Sequence, residues 1–332
     1  MRAAVLHAFG APLDIGEVRD PRPAGDAVLV RVRAVGVCGT DLKIINGVFP
    51  ELGVPLIPGH EIAGEIAEGG GDLAKGQRVA CYLYDPCGEC RFCRAGDDSL
   101  CPNSRQLGFE RDGGLAELVS VRRRNVLPFG DDLPFDLAAV AMDAVLTPWH
   151  ALHRRAELRA GETVVVSGAG GLGLNGIAIA KSSGARVAAF DPLPEHREVA
   201  LSLGAELAVD PGDVATVREW AGDGADLALE TSGVRGGFEA ALASLRRGGR
   251  VVCCGYRPGL DYVFDSARLV REEIAVLGSR AGTRDDARAA LAAVERGEIR
   301  PLIAAHLPLE QVNEALDRLA AGGALGRLVI DL

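Results

Sequence analysis

The feature that most narrows what this chain can fold into is a glycine cluster set between two apolar runs. Thr163-Val-Val-Val-Ser167 has the composition of a buried strand and leads directly into Gly168-Ala-Gly170-Gly171-Leu172-Gly173, after which Leu174-Asn-Gly-Ile-Ala-Ile-Ala-Lys181 continues as an apolar helix. In a Gly-x-Gly-x-x-Gly segment joining strand to helix, the first glycine permits a tight turn. The second lets backbone approach a pyrophosphate, and the third lets the helix pack on the strand. Free N–H groups at the helix start then receive the anion. The next apolar run, Arg186-Val-Ala-Ala-Phe, ends at Asp191, about 20 residues on, where an acid accepts hydrogen bonds from ribose hydroxyls. A 2′-phosphate would meet a carboxylate there, so NAD is expected over NADP. The other reading of Asp191 is a cap for the helix around Glu195.

Two further apolar runs, Ala225-Asp-Leu-Ala-Leu and Arg250-Val-Val-Cys-Cys, follow after helix-length segments. Alternating strand and helix means a parallel, doubly wound α/β sheet. The first 130 or so residues differ: Ala27-Val-Leu-Val-Arg-Val-Arg-Ala-Val alternates at period two, and Glu61-Ile-Ala-Gly-Glu-Ile-Ala and Gln77-Arg-Val-Ala-Cys-Tyr-Leu follow Gly/Pro breaks. A mainly β domain is expected over 1–142 and 285–332, with a dinucleotide-binding domain over 143–284. The tail carries an Ala-rich helix from about Arg284 through Val294, a break at Pro301, a second helix from Leu309 to Ala321, and a last strand from Arg327. At 332 residues and 48% hydrophobic content the chain can bury a large core. Its net charge of −10 opposes the phosphate-neutralising surface that nucleic-acid binding needs. No run approaches the roughly 18 apolar residues of a membrane span.

Cys87, Cys90, Cys93 and Cys101, spaced Cys-x2-Cys-x2-Cys-x7-Cys, form a metal-binding pattern in a lobe over 85–102. Four thiolates close a tetrahedron around zinc and leave no open position, so this zinc is expected to be structural. Disulfides or an iron–sulfur cluster are the other readings. The opening Met1-Arg-Ala-Ala-Val-Leu-His7 carries no apolar signal segment, which favours a cytoplasmic, reduced setting. A second candidate site is dispersed. Val37-Cys38-Gly39-Thr40-Asp41, Pro58-Gly59-His60-Glu61-x-x-Gly64 and Met142-Asp143 offer a thiolate, an imidazole and carboxylates, the mixed donor set of an open catalytic zinc. Singly, each has an ordinary explanation: a small buried cysteine, a core histidine, a helix-capping acid. Spacing alone leaves that choice open.

Taken in order, Cys38-Gly-Thr-Asp, Gly59-His60-Glu61-x-x-Gly, the four-cysteine lobe and the glycine fingerprint resemble the zinc-dependent alcohol dehydrogenases of the medium-chain dehydrogenase/reductase superfamily. The resemblance spans essentially the whole chain. It implies a GroES-like, mainly β catalytic domain built from both chain ends, a Rossmann domain between them, two zinc ions per chain, and hydride transfer between a zinc-bound alcohol and NAD. It implies that Cys38, His60 and Asp143 ligate the catalytic zinc with Glu61 close by, that Thr40 accepts the alcohol proton, and that Asp41 orients the imidazole. Thr147 resembles the residue against the nicotinamide, and Gly326-Arg327 the pair whose guanidinium reaches the pyrophosphate. Ser232, Gly255 and Ser279 would edge the cofactor.

Two positions depart from the family pattern. Lys43 stands where many members carry a histidine that ends the proton relay, and a lysine is a poor base near neutral pH unless buried. Ile45, Phe49 and Leu83 replace aromatic positions of several small-alcohol enzymes, giving a mixed apolar wall. The substrate is therefore expected to be a small-molecule alcohol or carbonyl compound. A polyol or sugar alcohol, or a conjugated carbonyl reduced by the same machinery, are the alternatives. A homo-oligomer, dimer or tetramer, is expected through the sheet edge in 253–279.

Overall fold

The computed structural model describes residues 1–68, 71–322 and 324–332. The chain divides into two compact units, Met1–Ala144 with Thr283–Gly297 and Ile303–Leu332, and Val145–Gly282 with Glu298–Leu302.

The first unit is built on a mixed sheet whose strands run in the order Ile303–Pro308, Arg327–Asp331, Ala27–Val37, Glu61–Glu68, Arg78–Cys81 and Val126–Pro128, with Leu118–Arg122 also pairing Ala27–Val37. Period-two alternation in the long strand puts Val28, Val30 and Val32 on one face, where they join Ile62, Ile66, Val79, Leu328 and Ile330 in the core. Register matters more to function than the core does. Gly36 lies opposite Glu61, and Val37 opposite Leu328, so the ends of three neighbouring strands bring Cys38, Glu61 and Arg327 to one edge of the sheet.

In the second unit every strand pair is parallel, and the order is Leu207–Val209, Arg186–Phe190, Thr163–Ser167, Ala225–Glu230, Leu245–Cys253, Ala275–Gly278. Numbered by sequence this is 3-2-1-4-5-6, the doubly wound Rossmann arrangement expected from the alternating runs. Thr163–Ser167 sits in the middle and is buried throughout, as a run of Val residues covered on both faces should be. Phe238 is fully buried with Phe190, Val251 and Leu245, and the Tyr262 ring stacks on it at 4.1 Å.

Sequence pattern and structure part at two strands. Leu245–Cys253 begins well before the apolar run, through Arg246-Arg-Gly-Gly, and its register against Ala225–Glu230 is irregular there. Ile303–Pro308 carries no clear alternation and exists because Arg327–Asp331 pairs with it. Among the described residues no helix is long and apolar enough to cross a membrane.

Candidate active site

Cys38 ends the long strand and caps the helix Gly39–Ile45: its sulfur accepts from Thr40 N at 3.5 Å, while Asp41 Oδ2 accepts from Cys38 N at 2.8 Å. The same four-residue motif thus starts a helix and fixes a ligand. The other oxygen of Asp41 lies 3.2 Å from His60 Nδ1, which leaves Nε2 to face outward, the arrangement a metal-binding imidazole generally needs. His60 Nε2 is 3.7 Å from Asp143 Oδ2, and Cys38 Sγ is 3.3 Å from the same oxygen. Asp143 is aimed by one turn of π-helix, Ala141–Val145, between two helical segments, a device that recurs where a helix must present a functional group. One donor atom from each of Cys38, His60, Glu61 and Asp143 lies within 4.8 Å of the others. The structure therefore gathers four residues from three separate segments of the chain.

The electrostatics of this cluster favour a cation. Burial disfavours protonation of His60, yet Asp41, Asp143 and Cys38 outweigh it and hold its pKa well above the ordinary value. Burial likewise pushes the Glu61 carboxyl up, against the pull of Arg327. The two shifts differ in cause: burial lifts Glu61, whereas the acidic neighbours of His60 lift its pKa despite burial. A cysteine sulfur, an imidazole and carboxylates within 4.8 Å of one another are donors of the kinds that suit zinc.

Arg327 is where sequence reasoning missed most. Its guanidinium is buried in this first unit, Nη2 at 2.6 Å from Glu61 Oε1, Nε at 3.1 Å from Oε2, and Nη2 at 3.4 Å from Asp143 Oδ2. The reading from resemblance gave it to the pyrophosphate; in the structure it pairs with the Glu61 and Asp143 carboxylates. Gly36 makes the pairing possible, because a Cβ there would stand 1.9 Å from Glu61 Oε2. Gly36→Ala is accordingly expected to force Glu61 off Arg327 and to cost about 3 kcal/mol, the scale of a buried charge left unpaired. Denaturant unfolding checks this, and a variant as stable as the parent would contradict it. Phe109 was also missed: its ring lies 5.6 Å from His60 and 6.0 Å from Phe49. Of the other wall positions, Ile45 belongs to the core of the unit and Leu83 is buried.

In the four-cysteine lobe the sulfurs lie 3.5 to 3.9 Å apart for the pairs Cys90–Cys93, Cys101–Cys87 and Cys87–Cys93. A tetrahedron with metal–sulfur bonds of about 2.3 Å has edges of about 3.8 Å. All four are free cysteines, which removes the disulfide reading. Backbone N–H groups of Cys87, Gly88 and Cys90 point at sulfurs of Cys101, Cys93 and Cys87. Donation of this kind, with Glu89 and Cys90 first, holds the Cys87 thiol down at about 6, so it is available as a thiolate.

Apart from Thr147, the second unit carries the remaining predicted residues in or after the carboxyl ends of its parallel strands, where open α/β sheets bind ligands. Gly168 has φ +93, Gly170 caps the helix Gly171–Ser182 with open space at its Cβ position, and a Cβ on Gly173 would stand 1.7 Å from Gly168 O. The turn at Gly168 and the close helix contact at Gly173 are thus steric reasons for glycine, while the space beside Gly170 is open. Leu172 is half-buried in the first turn of that helix. Asp191 follows its strand and is not the cap of the next helix, Pro194–Ser202, whose cap is Leu193. Its Oδ2 accepts from Ala169 N at 2.8 Å, which ties it to the glycine turn. Ser232 donates to Glu230, Gly255 packs against Thr231 and Gly233, Ser279 N bonds Cys253 O at 2.9 Å, and Thr147 is buried in Leu146–Trp149.

Comparison with known proteins agrees with this geometry. Residues 24–131 match the alcohol dehydrogenase GroES-like domain and residues 171–296 the zinc-binding dehydrogenase family. An alcohol dehydrogenase of Geobacillus stearothermophilus is 36% identical over 340 residues, covering 99% of both chains. One from Rhizobium meliloti is 37% identical over 345 residues, covering 100% of this chain and 99% of the relative. A solved structure of an NAD-dependent alcohol dehydrogenase is 30% identical with a TM-score of 0.95, covering 100% of both. With a mixed-donor metal cluster on a GroES-like unit and a glycine fingerprint on a Rossmann sheet, the chain is an oxidoreductase that belongs to the zinc-dependent alcohol dehydrogenases of the medium-chain dehydrogenase/reductase superfamily.

Proposed function

We propose that this protein interconverts an alcohol and its aldehyde or ketone using NAD, with one zinc held by Cys38, His60 and Asp143 and a second held by Cys87, Cys90, Cys93 and Cys101. The observation that carries the reading is the convergence of Cys38, His60, Glu61 and Asp143 on one point in a chain that also carries the dinucleotide loop. Zinc at the first cluster supplies a Lewis acid that lowers the proton affinity of an alcohol oxygen, and NAD+ supplies the hydride acceptor. The protein's own residues do the positioning. Asp41 holds the imidazole tautomer through His60 Nδ1, and Arg327 holds Glu61 as a reserve donor beside the ligands. Thr40, in the first turn after Cys38, takes the alcohol proton. Lys43 lies one turn further along the same helix, in place of the histidine of many relatives, and the relay is proposed to end at water or a cofactor hydroxyl. Phe109, with Phe49 against its ring, puts apolar surface beside His60, which favours an apolar alcohol over a polyol.

Asp191 selects NAD. Asp191→Asn is expected to lower kcat/KM for NAD+ by about ten- to a hundredfold, the worth of a charged hydrogen-bond acceptor. Initial rates with both dinucleotides check it, and an unchanged NAD+ value would contradict it. The exposed edge strand Ala275–Gly278, with Val276 38% and nearby Val270 74% exposed, supports a homo-oligomer formed by covering that edge; light scattering tests it. The activity itself is tested with simple alcohols, diols, sugars and an enoyl substrate, following the near-ultraviolet absorbance of reduced nicotinamide. Turnover of apolar alcohols is expected. Turnover of sugars alone, or of the enoyl compound alone, would overturn the substrate assignment.

A further inference from the structure

We infer that Glu230 is a positioning residue for the nicotinamide half of the dinucleotide: its buried carboxylate ties together the two loops, 231–233 and 255–262, that would receive that half. This rests on the proposed placement of a dinucleotide at residues 168–173. Glu230 ends the strand Ala225–Glu230 and is fully buried. Its Oε1 accepts from Ser232 N at 2.9 Å, from Gly233 N at 3.0 Å and from the Ser232 hydroxyl. Its Oε2 lies 3.2 Å from Tyr262 Oη, which is also 3.3 Å from Gly255 O. A buried carboxylate is costly unless donors meet its lone pairs. Here the donors come from two separate loops, one on each oxygen, so the group that they satisfy also sets the distance between them.

Both loops are held closely enough for that distance to matter. A Cβ on Gly168 would stand 3.0 Å from Ser232 Cα, and Thr231 Oγ1 lies 2.8 Å from Gly168 O, so the first loop packs on the glycine turn itself. A Cβ on Gly255 would stand 2.3 Å from Gly233 N, so the two loops meet backbone to backbone. The Tyr262 ring is stacked on Phe238 at 4.1 Å, which aims its hydroxyl from a fixed base. In the strand order of this sheet the glycine turn follows the central strand and Asp191 follows the neighbour on one side, while Ala225–Glu230 and Leu245–Cys253 lie on the other side. A doubly wound sheet binds one mononucleotide half on each side of that switch point. Loops 231–233 and 255–262 therefore belong to the half opposite the adenosine.

The test measures Kd for NADH and for AMP, which carries the adenosine half alone, by calorimetry on the parent protein, Glu230→Ala, Glu230→Gln and Tyr262→Phe. Glu230→Ala is expected to weaken NADH about ten- to a hundredfold, the worth of several hydrogen bonds to a charged group, with AMP held within about threefold. Glu230→Gln keeps a carbonyl oxygen for Ser232 and Gly233 and offers an N–H to Tyr262 Oη, so NADH should bind within about threefold of the parent. Tyr262→Phe keeps the ring and removes only the tie to Oε2, and NADH should weaken about three- to tenfold with AMP unaffected. This variant decides the matter if Glu230→Ala fails to fold. Equal loss of AMP and NADH would mean a general disturbance of the unit and overturns the inference. So does unchanged NADH binding in Glu230→Ala or Tyr262→Phe, or a loss in Glu230→Gln equal to that in Glu230→Ala. A parent that binds neither AMP nor NADH overturns the underlying site reading and this one with it.

Discussion

His60→Ala and Cys38→Ser are each expected to lower alcohol turnover by about a thousandfold or more while dinucleotide binding stays within a few-fold of the parent. The size follows from the Lewis acid: charge stabilisation of several kcal/mol is lost, and each 1.36 kcal/mol is tenfold in rate. Cys38→Ser is the sharper of the two. Serine is a strong helix cap, so it can keep the contact to Thr40 N that Cys38 makes and leave Gly39–Ile45 intact while replacing a soft ligand with a poor one. The glycine turn and Asp191 lie in the other compact unit, which is why cofactor affinity should survive. Initial-rate kinetics with metal analysis and a dinucleotide titration on the same preparations measure all three quantities. Full turnover in a variant that has lost metal would show that the cluster is not catalytic.

Cys93→Ser is expected to act on stability first. Between Cys87 and Asp97 no residue is buried, so this stretch has no apolar core and its shape depends on the four sulfurs meeting at one ion. Zinc binding to such a segment amounts to its folding free energy, about 10 kcal/mol or more in isolated peptides. Loss of one thiolate should therefore melt the lobe. Arg91 and Arg94 are exposed within it, and trypsin should cleave there at least about tenfold faster in the variant than in the parent, if opening is governed by a few kcal/mol. Turnover by molecules still folded should be little changed, since none of the lobe sulfurs belongs to the Cys38, His60, Glu61 and Asp143 group. Equal proteolysis of parent and variant would mean the lobe holds its shape without metal.

What could be read from the chain, and what could not, divides by distance in sequence. The glycine fingerprint was legible because its first and last glycines have local reasons: a positive φ at Gly168 and a contact at Gly173 that forbids a Cβ. The four-cysteine spacing was legible for the same reason, since one loop supplies every ligand. Cys38, His60 and Asp143 could be offered from their residue types but chosen only through resemblance, because strand register and a π turn bring them together. Arg327 and Glu61 are separated by most of the chain and meet only because Arg327–Asp331 lies beside Ala27–Val37. Strand Ile303–Pro308 was invisible because pairing with a distant strand, not its own pattern, creates it.

Zinc removal and restoration tests the central claim most directly. The protein is treated with a chelator under conditions that leave the four-thiolate lobe loaded, and NAD+ reduction by an alcohol it turns over is followed before removal, after removal, and after zinc is added back. Loss of nearly all turnover on removal of one zinc per chain, with NADH still bound, and recovery on adding zinc, is the expected result. Turnover that persists after that zinc has left would contradict the assignment of Cys38, His60 and Asp143 as the centre of the chemistry.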